Sequence, residues 1–155
     1  MNRKEIIQKL SKYFDIQELV CPHTFKAFGN LSWQFLDTQQ LHTILVLRED
    51  ILKVPMVCND YKFGGKITQR GFRCNICSIP KDKTLKNQIY LSAHCNGAGN
   101  DFVFSSSTDM SAEKARQIIK ANQHLLPYNI RIEKTVTWLH VDTYDTGNKV
   151  GEFNP

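Results

Sequence analysis

Two short segments of the chain concentrate side chains that bind metal ions. The first, Tyr90–Val103, contains His94 and Asp101. The second, Trp138–Asp142, contains His140. Two imidazoles and one carboxylate are ligands that zinc accepts, and three protein ligands leave a fourth position open for water. A chain that brings these side chains to one point must fold the first segment against the second, and this requirement constrains the fold more than any other feature.

The first segment fits a loop that turns back on itself. His94 and Asp101 are seven residues apart in the sequence, a spacing that suits neither one face of a strand nor a helical pair. Gly97 and Gly99 permit a tight chain path near an ion. Asp101 then opens a strand-like run, which is a rigid place for a ligand.

Alternation in the second segment separates a polar face from a core face. Trp138, His140 and Asp142 lie on one face of a predicted strand. Leu139 and Val141 point into the core. Asp142 is therefore placed to orient an imidazole through a hydrogen bond. A single histidine in a strand is more often a structural residue than a ligand, so both interpretations of His140 stay open at this point.

Length and composition predict one globular domain. The chain has 155 residues, 41% hydrophobic and 23% charged, as is typical of a folded domain. The formal charge of +5 would favour an anionic polymer such as a cell wall or a nucleic acid, but it is too small to select one. No run approaches the roughly 18 apolar residues of a membrane-spanning helix, so we expect no membrane insertion. The N-terminus lacks the apolar segment of a signal peptide, and we expect a protein made in the cytoplasm.

Periodicity and capping residues predict three helices and several short strands. The predicted helices begin after Asn2, Asp37 and Ser111 and end near residues 13, 52 and 127. The predicted strands cover residues 55–59, 89–91, 102–104, 129–133 and 135–143. Residues 74–87 are predicted to form an irregular surface loop, and residues 147–155 a flexible tail. We predict a single α+β domain over residues 1–155, with a small antiparallel sheet flanked by helices.

Three motifs resemble those of a known enzyme family. The run Ser92–Asp101 resembles the Ser-x-His-x-x-Gly-x-Ala-x-Asp signature of zinc-dependent D-alanyl-D-alanine carboxypeptidases and L-alanyl-D-glutamate endopeptidases of peptidoglycan. Trp138–Asp142 resembles their Trp-x-His-x-Asp signature, and Arg70–Arg73 is similar to their Ser-Gly-Tyr-Arg segment. The family shares its fold with the Hedgehog signalling domain, so the resemblance implies a fold of the Hedgehog and D,D-peptidase type.

The resemblance also implies a cofactor and a reaction. The cofactor would be zinc, bound by His94, Asp101 and His140. Ser92 and Arg73 would bind substrate, Arg73 through a two-pronged contact with a carboxylate of the peptidoglycan stem peptide; the alternative for Arg73 is a solvated surface side chain. The reaction would be hydrolysis of a stem-peptide bond, of the D,D-carboxypeptidase or L-Ala-D-Glu endopeptidase type, by a monomer. Without an export signal, the expected setting is a phage lysin that reaches the cell wall after a separate protein opens the membrane.

Two positions depart from the family's motifs. Gly99 replaces the usual alanine, a mild change because both residues are small. Many members carry an acidic general base three residues before the last ligand, where this chain has Thr137. A threonine cannot take a proton from a zinc-bound water, so we predict that Glu133 is the catalytic base and that Asp142 orients a ligand.

The five cysteines offer weaker signals. Cys74 and Cys77 form a C-x-x-C pair, and Cys21 and His23 are further possible donors. A zinc ribbon needs a second paired motif, so we interpret the thiols as free packing residues rather than as ligands of a second zinc.

Two other functions stay open. A non-catalytic zinc-containing module that binds the cell wall fits the same ligands and would explain Thr137. A nucleic-acid-binding module is suggested by the positive charge and the C-x-x-C pair. It is disfavoured because the chain lacks interleaved basic and aromatic residues on a recognisable motif, so we expect no nucleic-acid partner.

Overall fold

Six α-helices and four β-strands make up the regular structure of the chain, which a computed structural model describes over residues 1–155. The helices are α1 (Arg3–Leu10), α2 (Ile16–Leu19), α3 (Pro22–Phe28), α4 (Thr38–Val46), α5 (Ser78–Leu85) and α6 (Ala112–Ala121). The strands are β1 (Gly99–Phe102), β2 (Ile130–Glu133), β3 (Leu139–Asp142) and β4 (Val150–Phe153). The predicted single α+β domain is confirmed. None of the helices is both long enough and apolar enough to span a membrane.

Three helices begin after the side chains that were predicted to cap them. Asn2, Asp37 and Ser111 each accept a hydrogen bond from a backbone amide in the first turn of α1, α4 or α6, which satisfies a donor that has no partner inside the helix. A π-helical turn, Leu47–Ile51, extends α4 to its predicted end. Helix α6 ends earlier than predicted, and a short 3-10 turn, Gln123–Leu125, follows it.

The sheet has the strand order β1-β3-β2-β4. Strand β3 pairs antiparallel with β1 and β2, whereas β4 runs parallel to β2. The sheet is therefore mixed, and the prediction of an antiparallel sheet is wrong at the β4 edge. The register sets Asp101 of β1 opposite His140 of β3, and Asp142 of β3 opposite Arg131 of β2. Because paired residues point to the same face, these four side chains share one face.

The other face of the sheet forms part of the hydrophobic core. Phe102, Ile130, Ile132, Leu139 and Val141 are fully buried there. Helix α4 is joined to this side of the sheet by the buried Gln40, whose side-chain amide donates to the carbonyl oxygen of Val141 at 3.0 Å. The strict alternation along β3 thus puts apolar residues in the core and polar residues on the opposite face.

A buried arginine holds the connection between β2 and β3. Residues 134–138, predicted partly as strand, form a series of bends. Arg116 of α6 is only 4% exposed and donates to the carbonyl oxygens of Glu133, Val136 and Trp138 at 3.0 to 3.3 Å. These bonds fix both ends of the connection beside the polar face of the sheet.

The C-terminal segment is ordered, so the prediction of a flexible tail over residues 147–155 is wrong. The amide of Ile130 donates to the carbonyl oxygen of Lys149 at 3.0 Å, and the amide of Lys134 donates to that of Phe153 at 2.9 Å. The ring of Phe153 lies edge-on to that of His140, with 5.5 Å between the centroids. The polar composition of the segment does not predict this order, because the contacts that stabilise the segment come from strands distant in the sequence.

Three predictions of local structure are also wrong. Residues 55–59 contribute a single bridge, between Val57 and Val103, rather than a strand. Residues 89–91 lie outside the sheet, and Ile89 and Leu91 are 89% and 78% exposed. The predicted loop over residues 74–87 contains α5. Short apolar runs indicate a strand only where another strand is within reach, and local sequence does not carry that information.

Candidate metal centre

The three predicted ligands converge on the polar face of the sheet. Ligand atoms of His94, Asp101 and His140 all lie within 4.8 Å of one another. Asp101 Oδ1 is 2.7 Å from His140 Nδ1, and Asp101 Oδ2 is 3.3 Å from His94 Nε2. All three residues are buried. The group could hold a metal ion.

A short 3-10 turn, Ala93–Asn96, carries His94 to the sheet. The turn begins at Ser92, whose hydroxyl accepts a hydrogen bond from the His94 amide at 3.3 Å. It ends at Gly97, which has a φ of 69°. A Cβ atom at Gly97 would lie 2.1 Å from the carbonyl oxygen of Phe35. Only glycine tolerates both this backbone and this close approach, and the chain can then enter β1 with Asp101 facing His94.

Hydrogen bonds decide which nitrogen of each histidine faces Asp101. His94 Nδ1 is 3.0 Å from the carbonyl oxygen of Gly71. Because a carbonyl oxygen can only accept, Nδ1 carries the proton and Nε2 presents a lone pair. On the other ring, His140 Nε2 is 2.8 Å from Asp142 Oδ2, which leaves Nδ1 facing Asp101. Histidines that bind metals are oriented in this way, with the second N–H donated to an oxygen.

Asp142 is itself held by further donors. Arg131 Nε and Nη2 donate to its two oxygens at 2.9 and 2.8 Å, and the amide of Tyr144 donates at 3.0 Å. Burial raises the pKa of the Asp142 carboxyl, but the hydrogen bonds from His140 and Arg131 outweigh it and hold that pKa below its usual value. The carboxylate is therefore ionised and fixed, as the predicted orienting role of Asp142 requires.

Burial and charge act against each other at the three candidate ligands. Burial lowers the pKa of His94, which favours its neutral form. Burial has the same effect on His140, but hydrogen bonds to Asp101 and Asp142 raise its pKa to about 9. Burial raises the pKa of the Asp101 carboxyl, but hydrogen bonds and charge interactions with the two histidines have the larger effect. The pKa of Asp101 therefore lies well below its usual value. The lone pair of His94 therefore faces an ionised carboxylate, a repulsion that a cation bound between them would relieve.

Arg73 lies beside the candidate ligands, so the solvated-surface alternative does not describe it. Its side chain is 11% exposed. Nη2 is 3.3 Å from Asp101 Oδ2, and Nη1 donates to the hydroxyl of Tyr90 at 2.7 Å. The Arg73 amide donates to the carbonyl oxygen of His94 at 3.2 Å. The Arg70–Arg73 motif is thereby attached to the turn that carries His94.

The candidate ligands lie in a cleft of about 360 Å³. Its walls include all of the predicted site residues. Six further residues that were not predicted as site residues also line it: Tyr90, Leu91, Ala93, Arg131, Trp138 and Phe153. Glu133 lies in this cleft, and its Oε2 accepts a hydrogen bond from Trp138 Nε1 at 3.2 Å. Thr137, at the family's usual position for the base, is exposed and does not line the cleft.

Two lining residues, Arg131 and Phe153, depend on strand pairing for their place in the cleft. Arg131 is two residues from Glu133 on β2, so the two side chains share a face, and this signal was present in the sequence. Its partner Asp142 becomes evident only from the register between β2 and β3. Phe153 enters the cleft through the parallel pairing of β4, for which the sequence offers no local signal.

A second group of donors lies outside this cleft. Ligand atoms of Cys21, His23, Cys74 and Cys77 also lie within 4.8 Å of one another. Three of the thiols that we interpreted as packing residues therefore converge with a histidine, because the chain segments before Cys21 and Cys74 are joined by a β-bridge. This group could hold a metal ion as well.

Comparisons with family models, with curated proteins and with solved structures found no match for this chain. The resemblance to peptidoglycan peptidases therefore rests on three motifs alone.

Proposed function

We propose that this protein is a zinc-dependent peptidase that hydrolyses a peptide bond in the stem peptides of peptidoglycan. The observation that carries the proposal is the presence of Arg73, Glu133 and the three-ligand group in one cleft. The motif resemblance supplies the substrate class, the Hedgehog-type fold, and a setting in phage lysis or cell-wall remodelling.

The donor set of the cleft fits zinc. Two imidazole nitrogens and one carboxylate are a common ligand set for catalytic zinc, and three protein ligands leave one position open. Because the pKa of His140 is raised to about 9, binding of the cation would displace a proton from this ring. Zinc bound by His94, Asp101 and His140 would supply an acidified water and would polarise a substrate carbonyl. Binding, orientation and proton transfer then depend on the surrounding side chains.

Proton transfer falls to Glu133 in this proposal. The hydrogen bond from Trp138 holds Oε2 and leaves Oε1 without a partner. The bonds from Arg116 to the carbonyl oxygens of Glu133 and Trp138 keep this pair in place. Glu133 would accept a proton from the attacking water and deliver it to the amine that leaves, as a general base and then a general acid.

Substrate orientation falls to Arg73. Three contacts hold its guanidinium: Nε donates to the carbonyl oxygen of Gln69, Nη1 donates to Tyr90, and Nη2 faces Asp101. A planar guanidinium held in this way can bind a carboxylate with two parallel hydrogen bonds. Stem peptides carry such carboxylates, so this contact would position the scissile bond near the three-ligand group.

Defined peptidoglycan fragments test the proposal directly. Zinc-loaded protein is incubated with purified stem peptides, and mass spectrometry identifies the fragments released. We expect one specific cleavage, absent in His140→Ala and strongly reduced in Glu133→Gln. Glu152→Gln is the matched control, because Glu152 is on β4 and does not line the cleft. Intact substrate after incubation with the zinc-loaded wild-type protein would contradict the proposal.

One observation favours a second candidate function. Thr137 lies outside the cleft, so the chain has no acidic residue at the family's usual position for the base. A non-catalytic zinc-containing module that binds the cell wall would need Arg73 but no base. Such a module would sediment with purified peptidoglycan in an Arg73-dependent way and would release no fragment.

A further inference from the structure

We propose that Cys21, His23, Cys74 and Cys77 bind a second zinc ion whose role is purely structural. The ion would join the start of α3 to residues 74–92, a segment that contains α5 and that we call the α5 excursion. The proposal uses none of the residues of the cleft and does not depend on the proposed function.

The distances within the cluster match a tetrahedral zinc site. Cys74 Sγ and Cys77 Sγ are 3.7 Å apart, and each is 3.7 Å from His23 Nδ1. With Zn–S near 2.3 Å and Zn–N near 2.0 Å, neighbouring ligand atoms of a tetrahedron lie about 3.5–3.8 Å apart. Cys21 Sγ is within 4.8 Å of all three other ligand atoms and supplies the fourth corner.

The ligand set is of the closed, structural kind. Three thiolates and one imidazole fill all four positions, which leaves none for water or substrate. All three cysteines are free, and a separation of 3.7 Å is far longer than the roughly 2.05 Å of a disulfide. A redox role for the C-x-x-C pair would leave the convergence of Cys21 and His23 unexplained.

Local structure around the sulfur atoms also suits a metal site. The Cys77 amide donates to the carbonyl oxygen of Cys74 at 3.1 Å, which forms the tight turn that aims both sulfur atoms at one point. Cys21 Sγ is 3.1 Å from the hydroxyl of the buried Thr24. That hydroxyl can donate to a thiolate and would support a ligand sulfur from outside the coordination sphere.

The α5 excursion lacks the apolar contacts that would otherwise order it. Pro80 is the one buried residue of α5. Large apolar side chains along the excursion are exposed instead, among them Ile76 at 56%, Leu85 at 77% and Ile89 at 89%. Small units without a sufficient core are commonly stabilised by a metal ion or a disulfide. Zinc at the cysteine cluster would supply this stabilisation and would fix the residue next to Cys74, which is Arg73.

Metal counting on the intact protein tests the proposal. We expect two zinc ions per chain in the wild-type protein by native mass spectrometry, and one after the double substitution Cys74→Ser and Cys77→Ser. Cys95→Ser removes a thiol outside the cluster and should keep both ions. His140→Ala should lose the ion of the cleft and keep the one bound by thiolates, so failure of the cleft site is distinguishable from failure of this one.

Measurements on the wild-type protein serve if the double variant does not fold. Cobalt substitution should give a thiolate-to-cobalt charge-transfer band, and a mercurial reagent that blocks thiols should release one of the two zinc ions. The proposal is overturned if the band is absent, if the mercurial releases no zinc, or if the folded double variant still binds two ions.

Discussion

The two donor clusters of this protein differ in what holds their ligands. In the cleft, Asp101 and His140 occupy directly paired positions on β1 and β3, strands whose opposite face is part of the core. In the cysteine cluster, Cys21 directly precedes α3, the exposed His23 lies in the first turn of α3, and the other two ligands come from the turn before α5. The cleft offers two nitrogens and one oxygen, and three ligands leave one coordination position open. The cysteine cluster offers three sulfurs and one nitrogen, which fill all four positions.

The two clusters therefore differ in how far their geometry depends on a bound ion. The core and the sheet register bring the cleft ligands together, so their geometry exists before a cation arrives. The α5 excursion has little buried apolar surface, so its order would depend on a metal cross-link between the two cysteine-bearing segments. In the proposed assignments, an ion in the cleft would therefore serve chemistry, and an ion in the cysteine cluster would serve the fold.

Selective removal of metal tests this division of roles most strongly. A hydrophilic chelator should remove the ion from the three-ligand cleft first, with complete loss of hydrolysis and a small fall in melting temperature. A mercurial reagent should remove the thiolate-bound ion, with a larger fall in melting temperature. Hydrolysis, calorimetry and zinc release are measured on the same samples. Equal thermal destabilisation by the two reagents would contradict the division of roles.

Glu133→Gln should produce the largest effect of any single substitution that leaves both ions bound. Loss of a general base typically costs about 10²–10⁴-fold in turnover. Zinc content should stay at the wild-type value, because Glu133 is not among the converging ligands. Glu152→Gln on the neighbouring strand is the control and should retain full turnover. Unchanged turnover in Glu133→Gln would remove this residue from the mechanism.

Asp142→Asn should weaken the cleft ion and spare the thiolate-bound one. The substitution removes the charge that Arg131 and His140 share, and loss of such an outer partner costs about 10–100-fold in metal affinity. Competition with a fluorescent zinc chelator measures both affinities. Asp145→Asn, at an exposed position beyond β3, is the control. A fall in both affinities would indicate general damage to the fold rather than a role in orienting His140.

The helix caps and the two faces of β3 were predictable because each depends on a few adjacent residues. Asp37 caps α4 through amides of the first helical turn, and Leu139 and Val141 alternate with His140 and Asp142 within one strand. In both cases the interacting residues are neighbours in the sequence, so the sequence pattern alone predicts the local structure.

Features that depend on contacts distant in the sequence were not predictable in the same way. The cysteine cluster forms because the bridge between Val20 and Phe72 aligns two segments, and neither segment alone holds four ligands. The order of β4 and the partner of Arg131 likewise follow from strand pairing. Sequence patterns indicate which side chains could contribute to a site. The pairing register of the strands determines which of these side chains contact each other.

Arg73→Lys tests whether the guanidinium of Arg73 binds substrate. This residue lies in the cleft and directly precedes Cys74 of the cysteine cluster. Lysine keeps the charge but loses the two-pronged geometry. One lost charged hydrogen bond is worth about 1.5 kcal/mol, so kcat/KM should fall roughly tenfold. Zinc content should not change. Arg48→Lys, remote from the cleft, is the control, and wild-type kcat/KM in Arg73→Lys would show that the guanidinium does not bind substrate.

Ser92→Ala addresses the junction between the α5 excursion and the turn that carries His94. Ser92 lines the cleft and also caps this turn through the amide of His94. If capping were its only role, its loss would cost roughly 1 kcal/mol of stability, about 2–4 °C in melting temperature, with unchanged kinetics.

Ser111→Ala supplies the matched comparison, because Ser111 caps α6 through the amide of Lys114 at 3.1 Å and does not line the cleft. We expect both variants to lose similar stability and only Ser92→Ala to raise KM, by a few-fold, since a neutral hydrogen bond to substrate is worth about 1 kcal/mol. Calorimetry and initial rates on a defined stem peptide measure the two effects. Equal KM values in the two variants would leave Ser92 as a capping residue, so that substrate contacts would be confined to the sheet side of the cleft and to Arg73.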